Sequence, residues 1–246
     1  MESLSTAHSD TEPHLQVNVG LSIPPTATRP GRASLGDTCI LEESVHLRNR
    51  VHAFLLSRFA PRFNRMSAEV KARLLGQAEG DVLEIGAGTG ANFSYFPPGI
   101  RWTGCDPNPA GRGYSERAAA LAGIPASWHS AGAEQLPFDA GRFDAIVATL
   151  TLCSVQSPER ALDEIHRVLR PGGVFLFLEH VAAEPSSPLL RRQKCWAPTF
   201  HFLAGCRPDQ DTAALVARAG FSELQIERLT LPLPIVGPHI AGRAIK

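Results

Sequence analysis

Cysteines are few in this chain of 246 residues, and their positions offer neither a disulfide framework nor a zinc site. The five are an odd number without any CxxC pair or regular spacing: Cys39, Cys105, Cys153, Cys195 and Cys206. Structural disulfides and zinc sites use paired cysteines at defined spacings. The sequence therefore predicts a reducing compartment and no metal site.

An excess of one charge and a long apolar run are also missing. The 24 Lys and Arg balance 24 Asp and Glu, so no global field would attract a nucleic-acid backbone, and no nucleic-acid partner is expected. No apolar run approaches the roughly 18 residues of a transmembrane helix. Residues 1–15 lack the apolar core of a signal peptide. Taken alone, these features predict a soluble protein on the cytoplasmic side, without a hydrophobic anchor.

Composition divides the chain into three predicted segments. Residues 1–40 are rich in Ser, Thr and Pro without periodicity, which predicts a disordered polar tail. Residues 41–80 are predicted as an N-terminal helical cap, because apolar positions recur at helical spacing over 41–59. Within the 41–73 region, residues 48–73 carry seven Lys or Arg and one acid, Glu69. A peripheral contact of this region with a membrane or lipid droplet therefore stays open beside simple packing on the domain.

Strands and helices alternate in the third segment, 81–246, which indicates a parallel sheet with right-handed crossovers. The predicted strands are 81–85, 101–105, 126–130, 143–149 and 174–179, followed by an antiparallel pair at 222–230 and 239–245. One helix is predicted directly after Gly90, and three more are predicted at 111–122, 158–169 and 209–219. The Pro-rich residues 184–208 are predicted as an insertion on the substrate side.

A glycine-rich turn directly follows the first predicted strand. Glycines at positions 86, 88 and 90 let the backbone turn sharply and approach a ligand without a Cβ clash. The next helix presents free N–H groups at its start. Asp106 lies 22 residues after Glu84 and, at the end of a second strand, can accept hydrogen bonds from both ribose hydroxyls. The pattern predicts a nucleotide-type cofactor site.

The turn alone fits two cofactors, since residues 86–91 satisfy the GxGxxA pattern of dinucleotide sites. Glu84 would face a pyrophosphate unfavourably, whereas it can pair with an ammonium or a sulfonium. The chain is also short for a six-stranded dinucleotide fold with a separate substrate domain. These observations, with the Pro-Gly-Gly turn at 171–173 and the late strand pair, favour S-adenosylmethionine.

The motifs LEIGAGTG, CDPNP and LRPGG resemble those of class I S-adenosylmethionine-dependent methyltransferases. That resemblance implies an α/β fold with a Rossmann-like seven-stranded sheet, mostly parallel with an antiparallel C-terminal strand, and helices on both faces. Longer motifs at 90–99, 149–155, 179–181 and 237–240 resemble the methyltransferase-like seven family of alkyl thiol S-methyltransferases, over about residues 63–246.

The family resemblance implies S-methylation of small lipophilic thiols. It also implies association with the endoplasmic reticulum membrane or lipid droplets through an apolar N-terminal anchor. This chain departs from the family pattern at residues 1–40, which are polar where the anchor would lie, and at Phe63-Asn64, where relatives often carry Tyr-Asn.

The resemblance also implies roles for individual residues around the cofactor. Glu84 is expected to hold its amino group and Asp106 its ribose, while the 132–134 loop contacts the adenine edge, where many class I enzymes carry an Asp. Thr149 and Leu150 are expected beside the sulfonium. The full predicted cofactor set is Glu84, Gly86, Ala87, Gly88, Gly90, Asn92, Asp106, Pro107, Asn108, Gly132, Ala133, Glu134, Thr149 and Leu150.

On the acceptor side, His180 is the candidate catalytic base or thiol-orienting group, with a structural histidine as the alternative. The predicted substrate pocket comprises Cys153, Glu179, His180, Trp196 and Phe200. Core packing is the competing explanation for the aromatic residues and for Cys153. Two other functions stay open: methyl transfer to oxygen, nitrogen or carbon of a small molecule, and a non-catalytic cofactor-binding recruitment protein.

Overall fold

The computed structural model describes residues 61–246, so the predicted tail and the predicted helix at 41–59 lie outside the described residues. The described chain forms one seven-stranded sheet in the order β3-β2-β1-β4-β5-β7-β6. Its strands are β1 (Asp81–Ile85), β2 (Arg101–Cys105), β3 (Ala126–His129), β4 (Phe143–Thr149), β5 (Leu169–His180), β6 (Glu223–Thr230) and β7 (Pro238–Ile245). Strands β1 to β5 are parallel, and β7 runs antiparallel to both β5 and β6. The predicted sheet is confirmed.

Five helices are formed within residues 61–246. They are α1 (61–75), α2 (Arg112–Ala122), α3 (Pro158–Val168), α4 (Pro188–Ala204) and α5 (Thr212–Arg218). Leu75 and Ala119 pack with one set of strand residues, whereas Leu162 and Val216 pack with the other. Because successive strand residues point to opposite faces, α1 and α2 cover one face of the sheet and α3 and α5 the other. The predicted helices on both faces are confirmed.

The segment after the glycine turn differs from its prediction. Instead of a helix after Gly90, the chain makes a short 3-10 turn at Phe93–Tyr95, with the Phe93 side chain buried. Two prolines at 97 and 98 follow at once and exclude a continuing helix, since proline lacks the N–H and clashes with the preceding turn. The prediction of a helix there is wrong.

The Pro-rich segment 184–208 contains a helix of 17 residues, α4, which the sequence did not predict. Ser187 caps it, its Oγ accepting from the Leu190 N–H at 3.0 Å, and Pro188 occupies the first turn, where no N–H is needed. Proline content therefore marked the start of a helix as well as an interruption at Pro198.

β5 begins five residues earlier than predicted, at Leu169, and its register with β4 shifts between Phe143 and Ala145. Residues 145–148 of β4 and 175–178 of β5 are continuous buried apolar runs, as expected for parallel strands covered on both faces. Within residues 61–246, no helix has the length and apolar content required to cross a bilayer.

Candidate active site

The glycine loop leaves β1 at the carboxyl edge of the sheet, where open α/β sheets bind their ligands. Gly86, Gly88 and Gly90 have φ values of 67°, 49° and 76°, which side chains with L chirality rarely adopt. A Cβ at Gly86 would clash with the Thr151 side chain, and one at Gly90 would lie 2.9 Å from Ser115 Cα. The loop conformation therefore requires glycine, as the sequence indicated.

Asp106 follows β2, and its two oxygens link the glycine loop to the segment after β2. Oδ2 accepts from the Gly88 N–H at 3.0 Å, and Oδ1 accepts from the Asn108 N–H at 2.8 Å. The Asn108 side chain accepts in turn from the Ala110 N–H, and Pro107 between them is exposed. A partly exposed carboxylate thus stands beside the glycine loop, where a ribose ligand was predicted.

The predicted adenine loop has other partners for two of its three residues. Ala133 is buried in the core. Glu134 Oε1 accepts from the N–H groups of Gln156 and Ser157, at 2.7 and 3.3 Å, at the start of α3. Gly132 and Glu134 are partly exposed. An adenine contact by this loop, through backbone groups or Glu134, stays a prediction.

Four polar side chains lie at one edge of the sheet on the α1 side, at the ends of β1, β4 and β5 and at the start of β7. We call Glu84, Thr149, His180 and His239 the polar row. In the sheet register, Glu84 pairs with Val147, two residues before Thr149. Thr149 pairs with Leu178, two residues before His180. His180 pairs directly with His239. Residues at i and i+2 share a face, so the four lie on one face. Phe63 of α1 stacks on His239, with ring centroids 5.8 Å apart.

Glu84 begins the row as a fully buried carboxylate. Its Oε1 accepts from Asn92 Nδ2 at 2.7 Å, and its Oε2 accepts from Trp102 Nε1 at 2.7 Å. Burial raises the pKa of Glu84 to about 7. Asn92 Nδ2 also donates to Thr149 Oγ1 at 2.9 Å, whereas Asn92 Oδ1 is buried and finds no donor in residues 61–246.

Thr149 is followed by a strained residue. Leu150 has φ of 55°, a left-handed conformation that costs a residue with a side chain about 1 kcal/mol or more. Thr151 holds the turn in place, its Oγ1 donating to Ile85 O at 3.0 Å. Such strain persists where surrounding contacts impose it, and it occurs often at ligand-binding sites. Thr149 and Leu150 are partly exposed at the sheet edge, as predicted.

The end of the row away from Glu84 consists of two buried histidines. Burial, and then His239, lower the pKa of His180 to about 4, and neither ring nitrogen of His180 has a partner in the described residues. His239 Nδ1 lies 2.9 Å from Gly237 O. A carbonyl only accepts, so Nδ1 carries the proton and Nε2 is left as the basic nitrogen. The ring centroids are 6.3 Å apart.

His239 is a site residue that the sequence did not identify. It was part of a resemblance motif, but its role depends on the antiparallel pairing of β7 with β5, which sets it directly opposite His180. A local pattern does not show which residue of a late strand pairs with a given residue of an earlier one. The sequence feature that could have indicated His239 is the presence of a histidine at the start of the strand predicted beside the parallel sheet.

Glu179 and Cys153 lie on the other side of the sheet from the polar row. Glu179 Oε1 accepts from the N–H groups of Thr151 and Leu152 at 2.9 and 3.0 Å, which braces the loop after β4. Cys153 is 1% exposed, and burial raises its pKa well above the usual value, so its thiol is unreactive. Both side chains therefore lie beneath the loop after β4, on the face opposite the polar row. This arrangement does not favour their predicted contact with substrate.

α4 is attached to the site region through one buried side chain. Gln193 Oε1 accepts from the Ala183 N–H at 2.7 Å, and its Nε2 donates to Val181 O and Ile235 O at 3.1 and 2.9 Å. Trp196 is 48% exposed, and Phe200 is half-buried. A substrate contact by either aromatic residue stays a prediction.

Comparisons with known proteins agree with this geometry. The family profile described as "Methyltransferase domain" matches residues 83–177. Human thiol S-methyltransferase TMT1B is 38% identical over 212 residues, covering 78% of this chain and 85% of the relative. Human thiol S-methyltransferase TMT1A is 37% identical over 212 residues, again covering 78% of this chain and 85% of the relative.

Solved structures resemble the fold. A Thermotoga maritima S-adenosylmethionine-dependent methyltransferase, described as a possible histamine N-methyltransferase, matches with a TM-score of 0.53 and 23% identity. The match covers 78% of this chain and 99% of that one, and at this identity it shows the fold alone.

The fold and the matched domain define an S-adenosylmethionine-dependent methyltransferase of class I architecture. The chain belongs to the thiol S-methyltransferase family. The residues present fit the cofactor: the glycine loop leaves room for a close approach, and the buried Asn92 Oδ1 lacks the donor that an ammonium supplies. Glu84 and Asn92 would hold the amino group, and Asp106 would hold the ribose.

Proposed function

We propose that this enzyme methylates the sulfur of small lipophilic thiols. The observation that carries the proposal is the extent of the similarity to two human thiol S-methyltransferases, which covers 78% of the chain. The general methyltransferase match ends at residue 177. The similarity to the thiol enzymes is thus too long to be confined to that cofactor-binding half, and the acceptor side contributes to it.

The chemistry requires little activation of the nucleophile. S-adenosylmethionine supplies an electrophilic methyl group. A thiol with a pKa of about 8.5 is a few per cent ionised at pH 7, and its thiolate is strongly nucleophilic. The principal task of the protein is to hold sulfur in line with the methyl group, an effect that reaches about 7 to 11 kcal/mol in favourable cases.

We assign acceptance of the thiol proton to one of the two histidines of the polar row, His180 or His239. Burial lowers the pKa of both histidines, so both rings are neutral at pH 7 and have a nitrogen able to accept a proton. His180 remains our candidate base. His239 is its competitor, because its hydrogen bond to Gly237 O leaves Nε2 basic.

An apolar environment around these rings favours lipophilic acceptors. Phe63 stacks on His239, and Leu229 of β6 lies directly opposite His239 on the neighbouring strand β7. Apolar walls select lipophilic thiols by burial and remove water from the sulfur nucleophile.

Residues 41–73 are proposed to contact the endoplasmic reticulum membrane or lipid droplets. The charge imbalance of this region supports the idea, and Arg62, Arg65 and Arg73 are exposed on α1. Exposed basic helices bind anionic lipid surfaces. Flotation of the full chain with anionic vesicles but not with neutral ones is expected; equal flotation, or none, would contradict the contact.

Initial rates with matched acceptors test the thiol assignment. Alkyl thiols, alcohols and amines of equal chain length are compared by release of S-adenosylhomocysteine. We expect release with thiols only, and kcat/KM rising with chain length. Transfer to alcohols or amines but not to thiols would exclude the proposed function.

A further inference from the structure

Lys71 on α1 is a buried ammonium, and among residues 61–246 it has one hydrogen-bond partner. The residue is 2% exposed, and its Nζ donates to Asn64 Oδ1 at 2.7 Å. An ammonium has three N–H donors, and within residues 61–246 no carboxylate forms an ion pair with this one. Buried lysines are rare unless they are paired, so this side chain calls for an anionic partner.

Two aromatic rings and the charge of Glu84 favour the charged form of Lys71 and oppose the effect of burial. The rings of Phe63 and Tyr95 lie 5.3 and 5.7 Å from Nζ, which is the geometry of a cation–π contact. Burial lowers the pKa of Lys71 to about 8, and the charge of Glu84 opposes that effect. The side chain therefore still carries most of its positive charge at pH 7.

Lys71 lies beside the polar row, between Tyr95 after the glycine loop and Phe63, which stacks on His239. It interacts electrostatically with Glu84, the first residue of the row. Its neighbour Tyr95 belongs to the segment after the glycine loop, and the Tyr95 hydroxyl donates to Asn64 O at 3.4 Å. One buried ammonium, one buried carboxylate and the unsatisfied Asn92 Oδ1 thus occur together in this part of the site.

This set of charges complements an α-amino acid. A free amino acid group presents one ammonium and one carboxylate, and the site presents the opposite charges. We propose that Lys71, positioned by Asn64, binds the carboxylate of the methionine moiety of the cofactor, while Glu84 and Asn92 face its ammonium. The inference rests on the cofactor and not on the thiol acceptor.

A different role would produce the same contacts. If Lys71 were only the counter-charge of Glu84, it would stabilise the empty site and would not distinguish ligands with and without a carboxylate. The two roles can be distinguished by comparing the binding of two ligands that share the adenosine and the thioether but differ in the amino acid group.

Calorimetric binding of S-adenosylhomocysteine and of 5′-methylthioadenosine, which lacks the amino acid group, makes that comparison. Lys71→Gln should weaken binding of S-adenosylhomocysteine by roughly 10- to 150-fold, the cost of one charged hydrogen bond, and leave binding of 5′-methylthioadenosine unchanged. Arg73→Gln, which removes an exposed cation of the same helix, should change neither. Equal weakening of both ligands, or of neither, by Lys71→Gln would overturn the proposal.

Asn64→Asp provides a second test if Lys71→Gln fails to fold. The new carboxylate would pair with Lys71 and compete with the ligand carboxylate. S-adenosylhomocysteine should again bind more weakly and 5′-methylthioadenosine normally, whereas wild-type affinity for both would overturn the proposal. No acceptor is present in these assays, so a failed thiol assignment does not affect their outcome.

Discussion

Ionisation of Glu84 should control cofactor binding near neutral pH. Burial raises the pKa of this carboxyl to about 7, so the group changes charge within the working range. The ammonium of the methionine moiety gains from the ionised form and not from the protonated one. Affinity for S-adenosylhomocysteine should therefore fall as the pH is lowered through 7.

The size of the effect follows from the contacts of Glu84. Below its pKa, each pH unit lowers the affinity up to about tenfold, until binding to the protonated form takes over. Glu84→Gln keeps the shape of the side chain but removes its charge, and its one amide oxygen can accept from only one of the two donors, Asn92 and Trp102. Loss of one charged hydrogen bond, about 1.5 to 3 kcal/mol, corresponds to roughly 10- to 150-fold weaker binding.

Calorimetry with S-adenosylhomocysteine at about pH 5.5, 6.5 and 7.5 measures both effects. Wild-type protein should bind more weakly at each step down in pH, and Glu84→Gln should bind weakly and with little pH dependence. Glu116→Gln, which removes an exposed carboxylate on α2, should behave like wild type. Wild-type affinity in Glu84→Gln, or a flat wild-type profile, would refute the reasoning.

Two further predictions concern the ribose and the proton. Asp106→Ala should abolish S-adenosylhomocysteine binding in calorimetry, because the ribose ligand and the brace on the Gly88 N–H are lost together; wild-type affinity would remove the ribose assignment. If His180 is the base, His180→Ala should lower turnover more at about pH 6.5 than at about pH 9, where the thiol ionises without help. Uniform loss across pH would indicate a structural role, and the same comparison for His239→Ala tests His239 as the alternative base.

Local patterns predicted the sheet and the cofactor loop well. Strand alternation and the turn glycines are properties of short segments, and for this reason β1, β2 and β4 were located to the residue. α4 was missed because prolines at 185, 188 and 198 suggested irregular chain, although Pro188 occupies the first turn of a capped helix.

The site's long-range contacts could not be predicted in the same way. Glu84 was expected to face the cofactor, but its hydrogen bond to Trp102 depends on how β1 and β2 pair. The polar row likewise requires the register of four strands, and the placement of Lys71 requires the docking of α1 on the sheet. These are tertiary facts, and no local pattern in the sequence encodes them.

The central claim, methyl transfer from the cofactor to sulfur, is tested most directly by following the methyl group itself. The enzyme is incubated with S-adenosylmethionine labelled with deuterium in its methyl group, together with an alkyl thiol and an alcohol of the same chain length in competition. Mass spectrometry should find the label in the methyl thioether and none in the methyl ether. Label in the ether, or cofactor turnover without a labelled thioether, would contradict the account.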